Sequence, residues 1–248
     1  MNGLIVIDKP AGITSHAVVR DVKKILGAKK VGHTGTLDPL ATGVLLVCIN
    51  EATKLAQFFN MDRKEYRATV LLGVTTDTYD VEGKIVAETS CCVDRAEIAQ
   101  ALLSLVGTRQ QVPPPYSAVK YQGQPLYKWA RKGINIVSLP RTIEIYHISL
   151  EEIILPYVTF NVACSKGTYV RSLCLEIGAM LGCGACLAGL RRIKSGHYSE
   201  KEAFSLAGVA EKERKEALAA HLIPLADVLP DLPVIPVSKV PQFRIGRI

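Results

Sequence analysis

KVGHTGTLDPL, residues 30–40, runs directly into ATGVLLVCI, residues 41–49. The first eleven residues are crowded with Gly, Thr, Asp and Pro, which favour turns, so they predict an irregular loop. The next nine are an apolar run with the length and bulk of a buried strand. A loop feeding a buried strand lets a rigid scaffold present polar groups. Within Gly32–Pro39 two glycines allow close backbone approach to a ligand, and His33 and Asp38 are the titratable side chains. An Asp before a Pro also makes an ordinary turn, so this stretch alone leaves site and turn both open.

Working outward, Gly3–Ile7 reads as a strand stopped by Asp8-Lys9-Pro10-Ala11-Gly12. Thr14 or Ser15 stands at a helix N-cap, and Val18, Val22, Ile25 and Leu26 recur at helical spacing to about residue 27. The opposite face of that helix carries Arg20, Lys23 and Lys24, a candidate phosphate contact or an ordinary solvated face. Residues 64–74 and 158–164 read as strands, and 94–106 and 171–182 as helices. Strands and helices alternate without a regular βαβ repeat, which predicts an α+β fold with a mixed or largely antiparallel central sheet. After the strand ending near Cys164, Gly167 allows a bend, and Tyr169 and Arg171 face the same side if the strand resumes. Turn chemistry accounts for 73–83. Residues 113–133 interleave Tyr116, Tyr121, Tyr127 and Trp129 with Lys120, Lys128, Arg131 and Lys132, a texture that suits RNA stacking and phosphate contact or aromatics packed back on the core.

The chain has 248 residues, enough for one large domain with a small appendage, and its 48% hydrophobic and 21% charged residues exclude global disorder. The division expected is a catalytic body over 1–223 and a short Pro-rich tail over 224–248, either a strand pair laid on that body or a frayed end. A net charge of +7 favours a polyanionic partner, nucleic acid or membrane surface. The first ten residues lack the features of an export signal, and the longest apolar run, Val44–Ile49, is too short to cross a bilayer, so a cytoplasmic protein is expected. Seven cysteines, an odd number among apolar neighbours, suit a reducing compartment. Cys183 and Cys186 have the spacing of half a zinc site without a convincing second half, so no metal is expected. P-loop, dinucleotide, nucleophile-elbow and metalloprotease signatures are missing from the sequence.

Seven blocks follow in order between about residues 3 and 196: GLIVIDKPAGITSH, KKVGHTGTLDPLATGVLLV, EATKL, KEYRATVLLGVTTDTYD, PPPYSAVKYQGQPLYKWARKG, CSKGTYVRSL and LGCGACLAGLRRIKSG. Together they make the chain resemble the TruB family of tRNA pseudouridine synthases. The resemblance implies the pseudouridine synthase fold and isomerisation of the T-loop uridine, position 55, with no cofactor and no obligate protein partner, by a monomer. It implies Asp38 as nucleophile, Tyr66 stacked on the uracil and Arg171 paired with the Asp38 carboxylate. It places His33 against the RNA, Tyr169 opposite Tyr66, and Leu190 in the apolar wall. Lys9, Lys54 and Asp80 match further motif positions and are carried as substrate-binding residues, and 113–142 corresponds to the part that clamps the T-arm stem-loop. Leu46 and Asn50 depart from the more usual Pro and Gly, and the chain is too short for a complete C-terminal RNA-binding domain of the PUA type. Beside Arg171, the Asp38 carboxyl is expected to ionise more readily if a bidentate contact forms. A guide-RNA-dependent relative acting on ribosomal RNA and a catalytically silent RNA chaperone are the rival readings.

Overall fold

A computed structural model describes residues 1–59, 63–134 and 136–229. The chain opens with β1 (Gly3–Lys9), α1 (Ser15–Leu26), β2 (Val31–Thr34) and β3 (Thr42–Ile49). A 3-10 turn (Asn50–Leu55) and the single-turn helix α2 (Ala56–Phe59) lead to β4 (Lys64–Leu72), β5 (Val74–Thr76) and β6 (Ile85–Glu88). Then come α3 (Arg95–Leu103), β7 (Gly107–Gln111), the small hairpin β8 (Lys120–Tyr121) and β9 (Gln124–Pro125), α4 (Leu126–Ala130), the long β10 (Arg141–Ile154) and β11 (Tyr157–Cys164). α5 (Val170–Met180), β12 (Ala185–Ser195), β13 (Tyr198–Ser199), α6 (Arg214–Ala220) and β14 (Ile223–Pro224) follow.

The fold is α+β, as the interspersed pattern implies. One mixed sheet runs β14-β1-β3-β12-β4-β11-β10-β7, with β13 paired to β12 and β2 to β3. Every pairing in it is antiparallel except β3 with β12. Strand side chains alternate between faces. In β1, Ile5 and Ile7 join the larger core with Val18 and Val22 of α1, while Leu4 and Val6 join a second core with Phe59, Tyr198 and Val228. Burial on both faces explains why β1 and β3 read as continuous apolar runs.

α1 follows from local chemistry. The Ala17 N–H donates to the Thr14 hydroxyl at 3.1 Å, and Gly27 ends the helix at φ +60°, a conformation a side chain would resist. α3 begins with a capping box between Asp94 and Glu97.

Two expectations change, and two further stretches take shape. The 30–40 stretch is not wholly irregular: Val31–Thr34 forms β2 against Leu46–Ile49, because that edge of β3 would otherwise be left with unpaired backbone groups in the core. Tyr169 and Arg171 do not lie on a resumed strand; Tyr169 is the N-cap of α5 and Arg171 is in its first turn. β10 is the longest strand, yet its burial is ragged, with bulges near 145–147 and 150–152, so its sequence shows little alternation. Of the 224–248 tail, the first described residues lie on the body: Pro224 pairs with Gly3, and the Tyr198 hydroxyl donates to the Val228 carbonyl at 2.8 Å. The prolines from Pro230 onward, and the final FRIGRI, lie outside the described residues.

Candidate active site

Asp38 sits between two backbone clamps. On one side the Leu37 N–H donates to the Ser15 hydroxyl at 2.8 Å, and that hydroxyl reaches the Leu37 carbonyl at 3.0 Å. On the other, the Lys9 ammonium donates to the carbonyls of Pro39 at 3.2 Å, Ile13 at 2.7 Å and Pro10 at 2.8 Å. The Ala41 N–H closes the turn on the Asp38 carbonyl at 3.1 Å. β1, α1 and the loop are therefore one unit, and the carboxylate has little freedom. Its side chain is 37% exposed, open enough for a ligand to reach.

Arg171 meets this carboxylate edge-on, Nε to Oδ2 at 2.9 Å. The contact is not bidentate. The remaining nitrogens are held elsewhere: Nη1 donates to the Thr78 carbonyl at 3.0 Å, and Nη2 to the Tyr116 carbonyl at 2.8 Å. Asp80 lies 3.5 Å from Nη1 and is itself fixed by the Thr78 hydroxyl at 2.7 Å and the Glu82 N–H at 3.1 Å. A planar guanidinium thus gathers the 38 loop, the 78–80 turn and the start of the 113–133 segment.

The condition set for easier ionisation, a bidentate contact, is not met. Burial lifts the Asp38 carboxyl above the ordinary range; Arg171 pulls against it, and Asp80 adds to the rise. One hydrogen-bond-length contact does not outweigh lost hydration and a neighbouring carboxylate. Burial likewise lowers Lys9 to about 8, with Asp38 resisting. His33 is lowered by burial and by Arg192, and burial raises Tyr66 and Tyr169.

The other expected residues divide. Tyr66, on β4, is 8% exposed and stands across from Arg192 of β12. Tyr169 is half-buried and pinned by Gln111, which bonds both its N–H (2.7 Å) and its carbonyl (3.1 Å). Leu190 is partly buried on β12, beside Ala68 of β4. His33 lies half-buried on β2. Two residues carried as substrate-binding make their contacts within the protein: Lys9 is fully buried on three carbonyls, and Asp80 is 5% exposed beside Arg171. Lys54 is exposed and ion-paired with Glu51 at 2.6 Å, and no contact among the described residues joins it to Asp38.

Sequence reading missed Ser15 and Thr78, whose roles come from contacts with distant chain. It also passed over Arg192, 1% exposed, whose Nε donates to the Val44 carbonyl at 2.7 Å and Nη2 to the Gly35 carbonyl at 3.1 Å. A run of two arginines in a strand otherwise buried was the available signal. Gly43 makes this approach possible: at φ +95°, a Cβ there would stand 2.3 Å from the Arg192 carbonyl oxygen. The 113–133 segment mixes buried and exposed side chains. Leu126 packs inside, whereas Tyr121 is exposed and edge-on to Trp129, and Arg131 and Lys132 lie over the rings of Tyr127 and Trp129.

No helix among the described residues is long and apolar enough to cross a membrane, and these residues hold no cluster of metal-binding side chains.

Residues 23–170 match the N-terminal domain of TruB family pseudouridylate synthases, and residues 171–229 match the tRNA pseudouridylate synthase B C-terminal domain. The tRNA pseudouridine synthase B of Syntrophus aciditrophicus (strain SB) is 53% identical over 245 residues, covering 99% of this chain and 78% of that protein. The protein of the same name from Syntrophotalea carbinolica (strain DSM 2380) is 46% identical over 250 residues, covering 99% and 80%. Among solved structures, a Cbf5-Nop10-Gar1 complex aligns with a TM-score of 0.69 at 34% identity over 90% of this chain. An H/ACA RNP bound to a substrate RNA containing 2′-deoxyuridine aligns at 0.62 and 33% over 82%. The chain spans 60% and 51% of the length of those two.

Proposed function

The chain belongs to the TruB family of pseudouridylate synthases, and from that membership we propose that it isomerises the uridine at position 55 in the T loop of tRNA. Asp38 acts on a nucleotide swung out of its stack. The observation that carries this reading is a carboxylate clamped on both sides through its backbone, oriented by a buried arginine, and still open to a ligand.

The chemistry follows from the product being an isomer, so no group or electron donor is consumed. The N1–C1′ bond breaks and its electron pair leaves with the base. The carboxylate meets the deficit at the sugar, by bonding to C1′ or by taking a proton from C2′. The base then turns, C5 bonds to C1′, and the proton lost from C5 is balanced by one gained at N1. Tyr66 and Tyr169 offer faces on which the flipped base stacks, a contact worth about 1–3 kcal/mol per ring, and Leu190 excludes water beside them. His33 contacts the RNA next to the target. Lys9 and Asp80 act through the protein, Lys9 by holding Pro39 and Asp80 by holding Arg171. Tyr121, Trp129, Arg131 and Lys132 grip the T-arm stem.

The test is conversion of an unmodified tRNA transcript by the purified protein, read as pseudouridine at the T-loop position. Asp38→Ala should abolish product while tRNA affinity stays within about threefold, since the carboxylate serves bond cleavage more than binding. A wild type that leaves bare transcript unchanged would favour a guide-dependent or silent RNA-binding protein.

A further inference from the structure

Arg192 is among the largest side chains that the fold buries completely. Its guanidinium donates to the carbonyls of Val44 and Gly35, neither of which carries a formal charge, and it joins no ion pair among the described residues. Burying a cation without a carboxylate is costly, so its retention calls for a compensating task. Its location supplies one. Gly35 lies three residues before Asp38 on the same loop, and Arg192 is the direct cross-strand partner of Tyr66 between β12 and β4.

We propose that Arg192 is a positioning residue of the isomerisation: it ties the Asp38 loop to the Tyr66 strand and leaves an uncompensated positive charge behind the ring that holds the base. The inference rests on the reading given above. When N1–C1′ breaks, the base carries the electron pair as an anion, whichever way Asp38 meets the sugar's deficit. A fixed, buried cation beside that ring lowers the energy of the anion and needs no reorganisation. The same charge draws the Tyr66 hydroxyl toward acidity against the opposing effect of burial. Arg171 cannot serve this purpose, because Asp38 and Asp80 already neutralise it.

The experiment compares single-turnover rates of wild type, Arg192→Gln and Arg192→Lys on two tRNA transcripts, one with uridine and one with 5-fluorouridine at the target. Fluorine makes the departing base a more stable anion, so consumption of that transcript depends less on the cation. Arg192→Gln should slow uridine turnover by about 10²–10³-fold, with tRNA affinity within about threefold, and slow 5-fluorouridine consumption by at least about tenfold less. An equal defect on both transcripts, or none on uridine, overturns the inference. Should Arg192→Gln fail to fold, Arg192→Lys decides. The substituted ammonium can lose its proton where a guanidinium cannot, so this variant should show an alkaline fall in rate beyond the one that Lys9 gives wild type. Lys9 of β1, His33 of β2, and Lys64 and Tyr66 of β4 lie around the site in both proteins and cancel in that comparison. Identical alkaline profiles overturn the charge role. A wild type inactive on uridine ends the isomerase reading and this inference together, whereas an active wild type isolates the failure to Arg192.

Discussion

Arg171 and Arg192 are both buried, at 4% and 1% exposure, and each spends two nitrogens on backbone carbonyls. Arg171 is within 4 Å of two carboxylates, Asp38 and Asp80; Arg192 makes no ion pair among the described residues. The first cation is part of a neutralised cluster that orients the Asp38 carboxylate. The second leaves a net charge where an anion is expected to form. Burial alone therefore says little about an arginine's task; the charge left over after its neighbours are counted says more.

The largest effect should come from breaking the neutralised side. Arg171→Met removes the partner of two acids and should cost about 3–5 kcal/mol of stability, with turnover falling to background. Urea unfolding and the transcript assay read the two losses, and a variant of wild-type stability would mean that the ion pairs contribute little. Next is the loop clamp. Lys9→Met deletes the ammonium that reaches the Pro39 carbonyl and should slow turnover by about 10–100-fold while tRNA affinity holds, because misplacing a reacting group costs rate more than binding. Weakened affinity at unchanged rate would make Lys9 a binding residue after all.

A smaller effect tests the direction of the Asp38 shift. The proposed reaction needs an ionised carboxylate, and burial with Asp80 raises its pKa, so the rate should fall on acidification at a higher pH than an ordinary aspartate would give. Asp80→Asn removes one cause of the rise and should move that acid limb to lower pH. A limb that stays in place, or moves up, would show that Asp80 acts on Asp38 only through Arg171. The smallest effect is expected at Ser15. Ser15→Ala leaves the buried Leu37 N–H unpaired and should cost about 1–3 kcal/mol, with a modest rate loss that tracks loop order.

Much of this was legible before any coordinates. The helix after Thr14, the strand before Asn50 and the strand at 64–72 rest on interactions a few residues apart, which caps and periodicity encode. β10 escaped because its burial is ragged and its register is broken by bulges. The site residues Asp38, Tyr66 and Arg171 were marked by motif, yet the way they are held was not. Easier ionisation of Asp38 was tied to a bidentate grip, and Arg171 gives it one nitrogen, since the Thr78 and Tyr116 carbonyls claim the others.

The sequence by itself determined the local elements, the α+β class and the identities of the polar groups gathered near Asp38, because propensity and side-chain chemistry belong to single residues and their near neighbours. Only the tertiary structure decided which of those groups are spent on the protein and which remain for a ligand. The parallel pairing of β3 with β12 brings Arg192 onto the Val44 carbonyl from 148 residues away, and the charge balance of a pocket depends on such long-range neighbours and on how much water they exclude.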